Sequence, residues 1–163
     1  MTKTWNIILY PATDARFAKW QKRFIFFAGG LLLLAAFAKF SSIHAAARIL
    51  NLSDPVLGLS FRTLILLSGL LDLCVSVMCL FSNRAMLSLA ALLWQSSVFA
   101  AYRFGLWYVH WEKPCPCLGT LTGAIHLSPA LADDIAIGAE GLFVIGSIVC
   151  WAASNVQNNS TSH

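Results

Sequence analysis

Charge is what this chain has least of. Only 11% of its 163 residues are Asp, Glu, Lys or Arg, against about 25% in a soluble domain. Hydrophobic residues make up 58%, and the mean hydropathy is +0.72. A chain of this length makes one domain, whose single small core cannot hide so much apolar surface from water. The shortage of charge therefore excludes a soluble enzyme, a nucleic-acid-binding module and a largely disordered chain. Proline is scarce too, with five in all and none inside a long apolar run. A transporter built on broken helices is correspondingly disfavoured. No internal repeat is present.

What is present is a set of four apolar runs near the roughly 20 residues a spanning helix needs. They lie at 24–43, 64–81, 85–107 and 135–153. The expected fold is all-α, an integral membrane four-helix bundle. Asp54-Pro55 reads as a helix N-cap with proline at the first helical position, which starts the second helix well before its span. Ser128-Pro129 reads the same way for the fourth. Ser82-Asn83-Arg84 allows only a tight antiparallel turn. Residues 1–23 form a basic segment in which Phe17, Trp20 and Phe24 recur at helical spacing, as in an interfacial helix running into a membrane. Residues 24–153 make the membrane domain. Residues 154–163 are polar and uncharged and read as a disordered tail.

The few cations set an orientation. Lys3, Arg16, Lys19, Lys22, Arg23 and Arg84 fall on one side. Arg48, Arg62 and Lys113 fall on the other, with Lys39 and Arg103 near that boundary. The bias favours both termini in the cytoplasm and the loop at 109–128 outside. Trp20 and Trp151 then anchor the inner interface, and Tyr102, Trp107, Tyr108 and Trp111 the outer one. A competing reading takes 24–38 as the apolar region of a signal peptide cut after Ala36-Phe37-Ala38.

The outer loop carries the most informative stretch, Lys113-Pro114-Cys115-Pro116-Cys117-Leu118-Gly119. Two cysteines one residue apart on an oxidising side invite a disulfide. Closing so small a ring strains the bond, and strained, exposed disulfides are the exchangeable ones. Pro114 and Pro116 stiffen the loop. Lys113, with Arg103 at the same face, favours a thiolate. One cysteine would form a mixed disulfide with a partner and the other would resolve it. Two other readings stand beside this one. The pair forms a structural disulfide, with each other or with other cysteines, or it binds copper or zinc together with His110 and His126. The spacing matches no zinc-finger pattern. Cys74, Cys79 and Cys150 sit in apolar runs and read as packing residues; at five residues apart, Cys74 and Cys79 do not share a helix face.

Four ionisable residues fall within the spans: Lys39, Asp72, Arg103 and Glu140. Such groups are costly in lipid and pair inside a bundle. All four fall in the outer half, with Asp72 about 12 Å and Glu140 about 8 Å into their spans. They read either as a polar chamber that tunes thiol chemistry or relays protons, or as salt bridges that fix helix register. Lys39 and Arg103 also have the option of snorkelling to the interface.

Taken in order, these features resemble the MauE and DoxX-like group of membrane proteins over residues 24–153. Lys39 closes the first span, Asp54-Pro55 follows, and Asp72 stands in the second span. Arg103 ends the third, and Cys115-Pro116-Cys117-Leu118-Gly119 precedes the fourth. Departures are Pro116 for the usual glycine, Leu118 for phenylalanine and Asp72 for glutamate. The resemblance implies a component of thiol-disulfide oxidoreduction in the bacterial inner membrane, with the Cys loop facing the periplasm. Its implied partners are membrane lipid and a periplasmic thioredoxin-like protein or thiol client, as in maturation of methylamine dehydrogenase. Analogy with membrane thiol oxidases offers a quinone as electron acceptor, and no residue specifies one. The catalytic candidates are Cys115 and Cys117. The supporting candidates are Lys39, Asp72, Arg103, Lys113, Pro116, Gly119 and Glu140.

Overall fold

The computed structural model describes residues 3–43, 50, 52–82, 84–111 and 129–161. Four helices carry the fold: α1 (Lys3–Ile43), α2 (Phe61–Phe81), α3 (Ala85–Tyr108) and α4 (Pro129–Thr161). No strand occurs among the described residues. Each helix contains a stretch long and apolar enough to cross a membrane. The expected all-helical, four-span architecture is therefore the one observed.

α1 and α2 form a close antiparallel pair whose register small residues set. A Cβ added at Gly29 would meet Cys79, and one added at Gly69 would meet Lys39 and Phe40. Ser76 Oγ donates to the Gly29 carbonyl at 2.8 Å, while Ala28 and Ala36 are fully buried. Small residues let helix backbones approach closely where lipid removes the hydrophobic drive for association. Ser82 N–H closes α2 onto the Met78 carbonyl, and Ser88 Oγ bonds back to that same carbonyl. Ile25, Ala28, Leu32, Val75, Cys79, Leu89, Leu92, Phe143 and Cys150 make a core shared by all four helices. Cleavage after Ala38 would remove three of them. At one end of the bundle, Gln21 of α1 donates to Ser154 of α4. The start of the first span and the end of the fourth thus share one face of the molecule.

Three local expectations change. Asp54-Pro55 does not begin α2. Ser60 caps it instead, accepting from Thr63 N–H. Asp54 Oδ1 accepts from Val56 and Leu57 N–H in a turn, and Gly58 follows at φ 69°. A left-handed residue there stops helix propagation. The chain instead doubles back, pairing Ser53 with Ser60 across a short hairpin. At the other terminus, α4 continues through Thr161, across most of the segment that reads as a disordered tail. No glycine or proline interrupts 154–161, so a helix already fixed by packing extends through it. Finally, Lys39 does not snorkel, being only 6% exposed.

Candidate functional site

The polar residues inside the bundle are organised by α3. Gln95, Phe99, Tyr102 and Arg103 recur at four, three and one residues, so they climb one side of that helix over about 12 Å. Each engages a different element. Gln95 Nε2 donates to Asp72 Oδ1 of α2 at 2.5 Å. The Phe99 ring lies 4.8 Å from Lys39 Nζ of α1. Tyr102 O–H donates to Asp54 Oδ2 of the hairpin at 2.5 Å. Arg103 Nε donates to Glu140 Oε1 of α4 at 3.3 Å.

The deepest of these groups is the Lys39–Asp72 pair. Lys39 Nζ donates to Asp72 Oδ2 at 2.6 Å, and both side chains are buried. Helical side chains lean toward their own N-terminus. Lys39, near the end of α1, therefore reaches back into the span, where Asp72 meets it from the antiparallel helix. Asp72 uses both carboxylate oxygens, one on the ammonium and one on the amide. Burying two opposite charges is tolerable in such an arrangement, because each supplies the other's lost hydration. Gln95 presents its amide nitrogen to Asp72 because an ionised carboxylate only accepts. Its Oε1 consequently points away and finds no hydrogen-bond partner among the described residues.

The outer layer is more open. The Arg103 and Glu140 side chains are each about one-fifth exposed, at 17% and 21%. Asp54 is buried, with its two oxygens divided between the hairpin amides and Tyr102. α3 then ends in a Schellman motif. His110 takes the left-handed position at φ 53°. Trp111 N–H bonds to the Leu106 carbonyl, and His110 N–H bonds to that of Trp107. The closure lays the Trp111 ring against Phe61, centroids 5.6 Å apart. The chain thus leaves α3 beside the start of α2.

Of the residues singled out in the sequence, Lys39, Asp72, Arg103 and Glu140 are joined as two ion pairs in successive layers. Cys115, Cys117, Lys113, Pro116 and Gly119 lie outside the described residues, as does His126. Cys79 and Cys150 are buried in the core, and Cys74 faces outward. Among the described residues no group of three His, Cys, Asp or Glu side chains could hold a metal. Reading charges alone misses Gln95, Phe99 and the Tyr102–Asp54 bond. A neutral amide inside an apolar run, as in Leu93-Trp94-Gln95-Ser96, is the signal that would have found the first. No family model, curated protein or solved structure matches the chain.

Proposed function

We propose that the protein is a membrane component of thiol–disulfide exchange, acting through Cys115 and Cys117 on a thioredoxin-like or client thiol protein outside the inner membrane. The observation that carries the reading is the Cys-Pro-Cys sequence in the connection between Trp111 and Pro129. That connection starts at the bundle end where Tyr102–Asp54 and Arg103–Glu140 tie the hairpin and α4 to α3.

The step is a two-electron exchange. A partner thiolate attacks one sulfur of the Cys115–Cys117 disulfide, and the other cysteine leaves as thiolate. A second partner thiol then displaces the mixed disulfide. The partner leaves oxidised and the chain keeps two thiols; in the reverse direction one of these cysteines attacks a partner disulfide and the other resolves the mixed disulfide. Reoxidation passes two electrons and two protons to an acceptor in the membrane, for which a quinone is the natural class. The Lys39–Asp72–Gln95 cluster supports the bundle beneath.

The test is thiol trapping in intact cells with a membrane-impermeant, mass-adding maleimide. The expected result is labelling of this pair only after mild reduction, reversed as the cells reoxidise it. Cys115→Ser or Cys117→Ser should trap a mixed disulfide or abolish exchange. Full exchange in both single variants would overturn the reading. A second reading, a non-catalytic assembly protein, is favoured by the closed Lys39–Asp72 pair, which leaves no carboxylate oxygen free for chemistry. It predicts a pair that never changes redox state. Free thiols without reductant, with copper or zinc in the purified protein, would instead indicate metal binding.

A further inference from the structure

The exposed face of α1 changes character along its length. At about 100° per residue, Phe17, Gln21, Phe24, Ile25 and Ala28 share one side of the helix. That side is occupied: Gln21 bonds Ser154, the Phe24 ring sits where a side chain on Gly146 would go, and Phe17, Ile25 and Ala28 join the core. Arg16, Lys19, Trp20 and Arg23 fall within an arc of about 100° roughly opposite, flanked by Lys22. All five are exposed, Trp20 by 68%.

The same exposed arc continues as Phe26, Phe27, Leu34 and Phe37, each more than half exposed. The face therefore switches from cationic to apolar between Arg23 and Phe26, within about one helical turn. The basic stretch from Arg16 to Arg23 is about 10 Å tall, enough to span a lipid headgroup layer of about 5–8 Å. The exposed residues on this arc stay apolar from Phe26 to Phe37, about 17 Å, more than half of a hydrocarbon core of about 30 Å. Exposed Arg84, in the turn between α2 and α3, adds a cation at the same end of the bundle.

We propose that this face of α1 is a binding site for anionic phospholipid headgroups. Arg16, Lys19, Lys22 and Arg23 hold the phosphate layer, Trp20 lies among the headgroups, and Phe26 and Phe27 lie against the acyl chains. Charge complementarity alone would also suit an acidic protein or a nucleic acid. Neither of those offers anionic groups stacked directly on hydrocarbon along one line. An anionic lipid leaflet does, in the order and at the depth that the side chains require. The inference rests on the four apolar helices and is independent of the thiol chemistry.

The experiment uses the purified full chain in neutral detergent, with short-chain phosphatidylglycerol or phosphatidylcholine added. Bound lipids are counted by native mass spectrometry. The wild type should retain phosphatidylglycerol in preference to phosphatidylcholine, by about tenfold, with the preference falling as salt rises. R16Q/K19Q/K22Q/R23Q should lose the preference and R16K/R23K should keep it. If the quadruple variant does not fold, R16Q/K19Q and K22Q/R23Q should each lose part of it. Equal retention of the two lipids by the wild type, or an unchanged preference in the charge-neutral variants, would overturn the proposal. Displacement of phosphatidylglycerol by equimolar soluble polyglutamate would also overturn it, in favour of an acidic protein partner.

Discussion

The Lys39–Asp72 pair shows how much a single residue's environment decides. Removing one partner leaves the other charge buried and unpaired. Lys39→Met should therefore cost about 3–5 kcal/mol. The triple variant Lys39→Met, Asp72→Leu and Gln95→Leu should recover most of that loss, because three apolar side chains carry no desolvation penalty and leave no amide orphaned. Unfolding of the purified protein in mixed micelles, followed by helical circular dichroism, checks both. Gln95 is a closer contest. Its amide N–H to a carboxylate contributes about 1.5–3 kcal/mol, while its unpartnered Oε1 costs about 1–3 kcal/mol. These nearly cancel, so Gln95→Leu should change stability by about 1 kcal/mol or less. Gln95→Glu places a second carboxylate against Asp72 and should be much more damaging in the same assay. Composition marked the ionisable members of this cluster, because charge in an apolar run is conspicuous. It did not mark Gln95, whose importance comes only from the carboxylate it faces.

At the scale of elements, helix approach depends on which glycines face a neighbour. Gly29 and Gly30 are adjacent in α1 and look alike in sequence. A Cβ at Gly29 would lie 2.9 Å from Cys79 Cβ, whereas one at Gly30 meets nothing within 4 Å. The obstacle at Gly29 is attached directly to the backbone of α2 and cannot swing aside. Gly29→Val should destabilise by about 1–3 kcal/mol, and Gly30→Val should be close to neutral by the same measurement. Misreading Asp54-Pro55 belongs to this scale as well. A helix N-cap and a turn use the same carboxylate oxygen on the same two or three amides that follow it. What separates them is Gly58, four residues on, and the pairing of Ser53 with Ser60. The succession of α2 and α3 was legible because only three residues separate the two apolar runs.

For the whole molecule, the four helices alternate in direction, and Gln21 and Ser154 join the first to the fourth. If all four helices cross a membrane, this arrangement predicts both termini on one side and Trp111, at the end of α3, on the other. The charge bias predicts that the terminal side is the cytoplasmic one. Reporter fusions at residue 1 and residue 163 should give the same sidedness. A cysteine-free variant carrying a single new cysteine at Trp111 should label from the opposite side with an impermeant reagent. Opposite sidedness of the two ends would break the four-span arrangement.

Sequence alone determined that the chain is helical and suited to a membrane. Those properties follow from the length and apolarity of local runs, which need no knowledge of neighbours. It also supplied the Cys115-Pro116-Cys117 motif and the ionisable residues that had to find partners. Which partners they found was decided only in tertiary structure. Lys39 and Asp72 are 33 residues apart, and Arg103 and Glu140 are 37 apart. Such pairings depend on the register and rotation of whole helices. Glycine contacts, core packing and the line of polar residues along α3 set these jointly, and no local stretch of sequence carries them.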